Sequence, residues 1–291
     1  MDRSLEALGL DDVPAELPLT YPGRPATRPS LLLGDELLPL DVRATRLGEW
    51  TVDGRGRLDE VLTARGQETT GRRHPVIAVG SNAAPGQVRH KLRRLNLPVA
   101  VPMVPVRVRG IGVGCSGHIS PAGYVAGTPY VDPDGSATLV IAWFDARQLT
   151  AVDDTEPNYL RAILPGDTFE MIMPSGERLG GASLYFSAHG VLAVDGKRPL
   201  PGGGDQAELL SGLLSRSSRL RELLGPDPVS WVGSAGADQA VRARGTGIFR
   251  EEGWVLPRTD FLPYLDDSAE PRLYDDLPPL ADSLPPQAGN V

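Results

Sequence analysis

The length, composition and charge of the chain exclude several classes of protein. Its 291 residues can form one large domain or two small ones around a substantial core, and the 34 glycines and 28 prolines argue against an all-helical bundle. The formal net charge of −8 makes the chain as a whole a poor candidate for general nucleic-acid binding, and the single cysteine, Cys115, rules out an internal disulfide or a multi-cysteine zinc site.

Residues 1–70 are expected to form an irregular N-terminal extension, because prolines interrupt them repeatedly. The first residues are acidic and lack the apolar stretch of a secretory signal, and no run of about 18 apolar residues occurs in the chain. We therefore expect a cytoplasmic protein with no membrane span. Within the extension, residues 49–52 and 58–62 are interpreted as a short strand pair around an Asp53-Gly54 turn.

Residues 71–131 contain no Asp or Glu but eight Arg or Lys residues, so this block has a formal charge of +8 and the rest of the chain has −16. Such a block often marks a surface for an anionic substrate or partner. The other interpretation is a solvated helix face whose cations pair with acidic residues from elsewhere in the fold. Only Lys91 and Lys197 are lysines, and we attribute the excess of arginine to coding bias.

A strand, a small-residue turn and a helix are predicted in succession near the start of this block. Residues 75–79 are an apolar run ending at Gly80, which is typical of a buried strand. Ser81 and Asn82 are predicted to cap the following helix, with Pro85 in its first turn. The apolar face of this helix is predicted to consist of Val88, Leu92 and Leu95, with Lys91 and the arginines on the other faces.

Strands alternate with turns in the middle of the chain. Strands are predicted over 104–111, 124–130 and 137–144, the last two separated by a turn at Pro133-Asp134-Gly135. Asp145 and Gln148 form the pattern of a capping box that would start a short helix. Two further strands are predicted over 167–173 and 182–186.

The C-terminal part begins with the clearest helix of the sequence. Residues 205–224 carry a leucine stripe, with Asp205 as the predicted cap and Gly225 as the terminator. A strand pair is predicted over 241–249 and 254–256. The last 26 residues are acidic and rich in proline, so we expect a tail without a core of its own.

Most short motifs of the sequence do not predict a known chemistry. Residues 112–117 match G-x-G-x-x-G, but no helix start follows, so a glycine-rich turn is expected rather than a dinucleotide site. Cys115 is interpreted as a buried apolar residue rather than a nucleophile. The four histidines lack metal-ligand spacing, and we expect neither a metal site nor a cofactor.

Two segments carry chemistry when they are taken together. The first is Val79-Gly80-Ser81-Asn82, where small residues let a ligand approach the backbone and a helix N-terminus offers N–H groups to an anion. The second runs from Val152 to Glu156 and continues to Tyr159 and Arg161, which places a carboxylate just after a short helix.

In these two segments the chain resembles the gamma-glutamylcyclotransferase-like superfamily. That family opens with a strand ending in Y-G-S-N or Y-G-S and later carries L-D-x-x-E-G followed by Y-x-R. The resemblance covers residues 74–190, and order and spacing agree. Two residues depart from the pattern, because Val79 stands in the place of tyrosine and Pro157 in the place of glycine.

The resemblance implies an α+β fold, a small mixed β-barrel with flanking helices over residues 71–225, with extensions at residues 1–70 and 226–291. It also implies an enzyme of the acyltransferase or lyase type that releases 5-oxoproline and an amine from a small anionic γ-glutamyl substrate. The α-amine of such a substrate attacks its own γ-carbonyl, and Glu156 would move the protons. The implied substrate-binding residues are Val79, Gly80, Ser81, Asn82, Ala83, Ala84 and Tyr159, while Arg161 is expected to support the fold.

Other functions stay open at the level of the sequence. A non-catalytic relative could bind an anionic metabolite or a protein partner, and the departures at Val79 and Pro157 favour this alternative. An arginine patch that binds nucleic acid is a weaker alternative, because aromatic residues for base stacking make up only 5% of the chain. A homodimer is compatible with every one of these functions.

Overall fold

The computed structural model describes residues 2–257, 259–266 and 271–281. Within these ranges the chain forms eight α-helices and eleven strands. The helices are α1 (Leu5–Leu8), α2 (Leu58–Thr63), α3 (Pro85–Arg94), α4 (Ala146–Asp154), α5 (Gln206–Arg216), α6 (Ser218–Leu224), α7 (Pro228–Ala237) and α8 (Gln239–Glu251). The strands are β1 (Ser30–Leu33), β2 (Glu36–Asp41), β3 (Thr51–Val52), β4 (His74–Ala78), β5 (Ala100–Ile119), β6 (Val125–Phe144), β7 (Tyr159–Pro165), β8 (Met171–Ile172), β9 (Gly181–Ser187), β10 (Val191–Leu192) and β11 (Val255–Leu256).

The long antiparallel hairpin of β5 and β6 organises a mixed sheet. The strand order is β3-β2-β1-β5-β6-β4-β9-β7, with β8, β10 and β11 joined at the side. All pairs are antiparallel except β4 with β9. The helices together with this mixed sheet confirm the α+β class. A closed barrel is not confirmed, because the path of paired strands has two ends, at β3 and β7.

Three apolar clusters form the core, and two of them position the site. Helices α3 and α4 pack against the β4–β6 part of the sheet through Val88, Leu92, Leu149 and Val152. A larger cluster lies between the sheet and the segments that contain Trp50 and Phe261. A third cluster joins helices α5 to α8 to the ends of β5 and β10. The elements that position the site are therefore closely packed and rigid.

Several sequence predictions are confirmed around the site. Residues 75–79 were predicted as a strand, and β4 spans His74–Ala78 with every residue buried. Pro85 is the first residue of α3. The Asp145 carboxylate accepts from Gln148 N, while the Gln148 side chain accepts from Asp145 N, as the capping-box pattern predicts.

Three predictions at this level are wrong. Ser81 and Asn82 do not cap α3, because residues Ser81–Ala83 form a separate 3-10 turn and Ala84 is the N-cap. Leu95 does not join the buried face, since it is 49% exposed beyond the end of the helix. Lys91 is not on an outer face, because it is only 9% exposed.

The predicted strands at 58–62 and 241–249 are helices α2 and α8. Their buried residues recur at helical spacing, as at Leu58, Val61 and Leu62. Asp238 caps α8 by accepting from Ala240 N. The single helix predicted over 205–224 is two helices, because the Ser217 hydroxyl caps a new start by accepting from Leu220 N.

The two predicted turns within the long strands are also wrong. Residues 132–135 belong to β6 and lie as a bulge opposite Gly110, since Arg109 pairs with Ser136 and Ile111 with Val131. The glycine-rich segment 112–117 lies inside β5, where a β-carbon at Gly114 would press on Val191 of the neighbouring strand. Close packing rather than a turn explains the glycines there.

The terminal regions contribute to the same sheet. Strand β1 pairs with β5, and β11 pairs with β10. The division at residues 70 and 225 stays a prediction. Among the described residues, none of the helices combines the length and the apolar composition needed to cross a bilayer.

Candidate functional site

A cavity of about 450 Å³ opens where β4 ends. Its walls come from the turn after β4, from one side of α3, from the β5–β6 connection and from the loop after α4. Ala15 and Tyr21 of the N-terminal region complete the lining. The cavity is large enough for a small-molecule ligand.

The structure brings both predicted segments to this cavity. Val79, Gly80, Ser81, Asn82, Glu156 and Tyr159 all line it. Ala83 and Ala84 are not among the lining residues that the described ranges supply. Their N–H groups donate to the Gly80 and Ser81 carbonyls at 3.0 Å each, so these two N–H groups already have partners within the turn.

The loop after α4 holds Glu156 in a fixed turn. The Thr155 hydroxyl donates to the Val152 carbonyl at 2.8 Å, and Glu156 N donates to the Asp153 carbonyl at 3.0 Å. The Glu156 carbonyl in turn accepts from Tyr159 N, where β7 begins. Local backbone bonds therefore place the Glu156 side chain against the cavity.

Lys91 and Asn82 form a clamp on the Glu156 carboxylate. Lys91 Nζ donates to Glu156 Oε1 at 2.8 Å and to Asn82 Oδ1 at 2.8 Å, and Asn82 Nδ2 donates to the same Oε1 at 3.0 Å. The Lys91 and Glu156 side chains are 9% and 16% exposed. Oε1 is thus held twice, whereas Oε2 has no hydrogen-bond partner among the described residues.

Sequence reasoning missed Lys91, which it placed on an exposed face. One signal was available, because Lys91 is one of only two lysines in a chain with 29 basic residues. A compact ammonium on a flexible stem can reach a buried carboxylate where a planar guanidinium has different geometric needs. Its proximity to Glu156 depends on the packing of α3 against the loop after α4.

Within the described residues, three of the seven arginines of the basic block form ion pairs with carboxylates. Arg89 and Arg93 both contact Asp35, at 2.9 and 2.6 Å, and Arg109 lies 3.3 Å from Glu170. This agrees with the interpretation of a face paired with acids from elsewhere. Arg94 differs, because it is exposed and lines the cavity.

Four tyrosines line the cavity, out of seven in the chain. Tyr159 donates to the Gly127 carbonyl at 2.8 Å, and Tyr21 stacks on Tyr124 with ring centroids 4.2 Å apart. Burial raises the pKa of Tyr124 to about 12 and that of Tyr159 well above its ordinary value. These hydroxyls are therefore neutral near pH 7. The fourth, Tyr185, donates to the Asp153 carboxylate.

Asp153 ties the base of the loop to the sheet. Its Oδ1 accepts from the Tyr185 hydroxyl and its Oδ2 from Arg161 Nη1, both at 2.5 Å. Arg161 Nε also donates to Asp266 at 3.0 Å. Arg161 is not among the lining residues, so its contacts in the described chain are those of a structural support.

Two further candidate residues of the β5–β6 hairpin differ in their access to the cavity. His118 lines it, and its Nδ1 lies 2.5 Å from Ser116 Oγ. Burial lowers the pKa of His118 to about 3, so the ring is neutral near pH 7. The Cys115 thiol donates to the Pro201 carbonyl, and burial raises its pKa to about 12, which is unfavourable for a nucleophilic thiolate.

No group of three or more His, Cys, Asp or Glu side chains in the described part of the chain is arranged to hold a metal ion. The groups that line the cavity include the clamped Glu156 carboxylate, neutral tyrosine hydroxyls, the imidazoles of His90 and His118 and the Arg94 guanidinium.

No family model and no curated protein matches the chain. Three solved structures are similar to part of it. A gamma-glutamyl cyclotransferase matches 40% of this chain and 68% of its own at 12% identity, with a TM-score of 0.33. The uncharacterized protein loc79017 from Homo sapiens matches the same shares at 14% identity, with a TM-score of 0.32. A yeast gamma-glutamyl cyclotransferase specific to glutathione matches 61% of this chain and 99% of its own at 13% identity, with a TM-score of 0.30.

Proposed function

We propose that the protein is a cyclotransferase that converts a γ-glutamyl amide into 5-oxoproline and a free amine. The observation that carries this proposal is the position of Glu156, which lines the same cavity as the Gly80–Asn82 turn and whose Oε2 has no hydrogen-bond partner among the described residues. A base and a row of backbone donors in one small cavity suit an intramolecular acyl transfer.

In the proposed reaction the α-nitrogen of the substrate attacks its own γ-carbonyl carbon. The new C–N bond closes the five-membered ring, and the C–N bond to the leaving amine breaks. Two protons leave the attacking nitrogen as the ammonium becomes a ring amide, and two reach the leaving nitrogen, which departs as an ammonium ion. Glu156 carries these protons one at a time through Oε2.

The clamp on Glu156 has a defined part in this proposal. The Lys91 ammonium supplies a counter-charge at Oε1, 2.8 Å away. Lys91 and Asn82 hold Oε1, so they also fix the plane of the carboxylate and direct Oε2 to the substrate. We assign both as positioning residues.

The turn after β4 binds the other end of the substrate in this proposal. The N–H groups of Gly80, Ser81 and Asn82 meet its α-carboxylate or the oxygen of its γ-carbonyl. Tyr159 limits the space beside Glu156. The proposal extends to a barrel-like site domain in residues 71–225, to membership of the gamma-glutamylcyclotransferase-like superfamily and to a cytoplasmic setting.

A second candidate function is binding of an anionic metabolite without turnover. The Lys91–Glu156 ion pair favours it, because the pair gives both charged groups a partner within the protein without any reaction. Val79 and Pro157 favour it as well, since they replace family residues at the two edges of the site.

The two functions separate in one experiment. The purified full chain is incubated with γ-glutamyl dipeptides, tripeptides and alkylamides, and 5-oxoproline and free amine are quantified. The proposal predicts the two products in equal amounts from at least one substrate, and their loss in Glu156→Gln. Saturable binding of the same compounds without product would establish the second function instead.

A further inference from the structure

The N-terminal region forms a built part of the cavity wall. Ala15 N donates to Gln87 Oε1 at 3.2 Å, and Ala26 N donates to the Ala83 carbonyl at 3.0 Å. These bonds attach the segment to α3 on one side and to the turn after β4 on the other. Between them Tyr21 enters the cavity, where only 7% of it is exposed.

The Tyr21 hydroxyl lies directly against the Gly80 turn. A β-carbon added at Gly80 would collide with the hydroxyl oxygen, so glycine is required for this approach. The same oxygen accepts a hydrogen bond from Gly127 N at 2.6 Å. The hydroxyl is therefore fixed on a second wall of the cavity by a backbone donor.

The hydrogen of this hydroxyl has no acceptor among the residues that the structure describes. Tyr159 donates its hydroxyl proton to the Gly127 carbonyl, whereas the Tyr21 oxygen accepts from the Gly127 N–H. The hydroxyl proton of Tyr21 is therefore still available to a ligand. Burial raises the pKa of Tyr21 well above its ordinary value, so the hydroxyl is neutral at physiological pH. Stacking on Tyr124 holds the ring in place.

We propose that the Tyr21 hydroxyl donates a hydrogen bond to the γ-carbonyl oxygen of the substrate at the Gly80 turn. This inference rests on the proposed function and adds a catalytic residue from outside the predicted site. Negative charge develops on that oxygen when the α-nitrogen attacks, and a pre-oriented donor stabilises the transition state more than the ground state. The turn begins with Val79, whose side chain has no hydroxyl, and the N-terminal region then supplies one beside it.

The first test compares Tyr21→Phe with Tyr264→Phe. Phenylalanine keeps the stacked ring and removes only the hydroxyl, while Tyr264 packs against Phe169 and does not line the cavity. Losing one donor to an oxyanion reduces kcat by about 10²-fold. We expect that loss in Tyr21→Phe with KM changed little, and wild-type kinetics in Tyr264→Phe. An unchanged kcat in Tyr21→Phe overturns the inference.

The second test does not require turnover. 3-Fluorotyrosine is placed at position 21, and in a control at position 264, and the ¹⁹F resonance is followed while 5-oxoproline or a γ-glutamyl amide is added. We expect a saturable shift at position 21 and none at 264. A shift in a protein that forms no 5-oxoproline would reject the proposed reaction but retain the contact, whereas no shift with either compound rejects the contact itself.

Discussion

Glu177 is buried and Glu156 is partly buried, and both lie beside a cation, yet their surroundings differ in one respect that separates a candidate catalytic group from a structural one. Glu177 has no exposed surface, and both of its oxygens accept from the Tyr274 hydroxyl, at 2.7 and 2.8 Å, with Arg46 3.7 Å away. Glu156 has one oxygen clamped and the other unbound at a cavity. A cation partner alone does not distinguish the two glutamates, but the Glu156 oxygen without a hydrogen-bond partner in the described chain does.

The physical consequences of the two arrangements also differ. Burial raises the pKa of the Glu177 carboxyl, and the groups around it compensate that cost within a closed cluster. Arg46 stacks over the Tyr274 ring at 3.8 Å, which connects the C-terminal segment to the core. Changes at Glu177 should therefore affect stability, whereas changes at Glu156 should affect activity.

The largest expected effect is on turnover in Glu156→Gln. An amide of the same shape cannot accept the proton, and a well-placed acid–base group contributes about 10²- to 10⁴-fold. We expect kcat for 5-oxoproline release to fall by that amount, and the free energy of unfolding to fall by about 2 kcal/mol because the nearly buried Lys91 ammonium loses its ion partner. Glu177→Gln is the matched control and should keep wild-type kcat. Equal losses in both variants would contradict the comparison.

Removal of the cation of the clamp should have the next largest effect. Lys91→Met leaves the partly buried Glu156 carboxylate without its ion partner, which we expect to lower kcat by about 10-fold or more and the free energy of unfolding by about 2 kcal/mol. Lys91→Arg tests whether any cation suffices, and the pH–rate profile of each variant is the measurement. An unchanged profile in Lys91→Met would show that the clamp does not act on Glu156.

The structural glutamate is tested through its partner, with Tyr274→Phe. This variant removes the hydroxyl that binds both oxygens of Glu177, so a buried carboxylate loses its hydrogen bonds, at a cost of about 2 kcal/mol. Urea unfolding should show this loss, and kcat should stay at the wild-type value. A drop in kcat without a change in stability would reverse the assignment.

A smaller effect concerns the neutral imidazole at the cavity. Burial lowers the pKa of His118 to about 3, so between that pH and the ordinary histidine pKa the unfolded chain binds more protons than the folded protein. Stability is therefore highest above the pKa that His118 has in the unfolded chain. The free energy of unfolding decreases as the pH falls, by about 2 kcal/mol between pH 7 and 5. Comparing urea unfolding of the wild type with His118→Gln should reveal this difference, and identical pH dependence would contradict it.

Local rules predicted the parts of the site that depend on neighbouring residues. The strand β4, the start of α3 at Pro85 and the Asp145 capping box follow from apolar runs, proline geometry and side-chain caps. The Gly80 turn follows β4, and Glu156 lies in the loop after α4. That both line one cavity agrees with the spacing used to choose them, while their chemical roles stay proposals.

The residues that sequence reasoning missed depend on contacts between distant segments. Lys91 is on a helix with an arginine-rich surface, and only the packing of α3 shows that its side chain turns inward. Tyr21 comes from a proline-interrupted region that carries no regular pattern, yet its hydroxyl accepts from the N–H of Gly127, 106 residues further along the chain. Hydrophobic periodicity does not encode such contacts.

Wrong secondary-structure predictions have a related cause. The segment 241–249 contains glycines and β-branched residues, and its helix is fixed by the Asp238 cap and by burial of Ile248 and Phe249 against the other helices. Tertiary packing outweighs local preference in such a segment.

The most direct test of the account is a crystal structure of Glu156→Gln soaked with a γ-glutamyl amide that the wild type cleaves. The account predicts an intact substrate in the cavity, with its α-nitrogen about 3 Å from the side-chain atom that replaces Oε2 and its γ-carbonyl oxygen at the Gly80 turn. Substrate bound with the α-nitrogen away from position 156, or outside this cavity, would contradict the central claim.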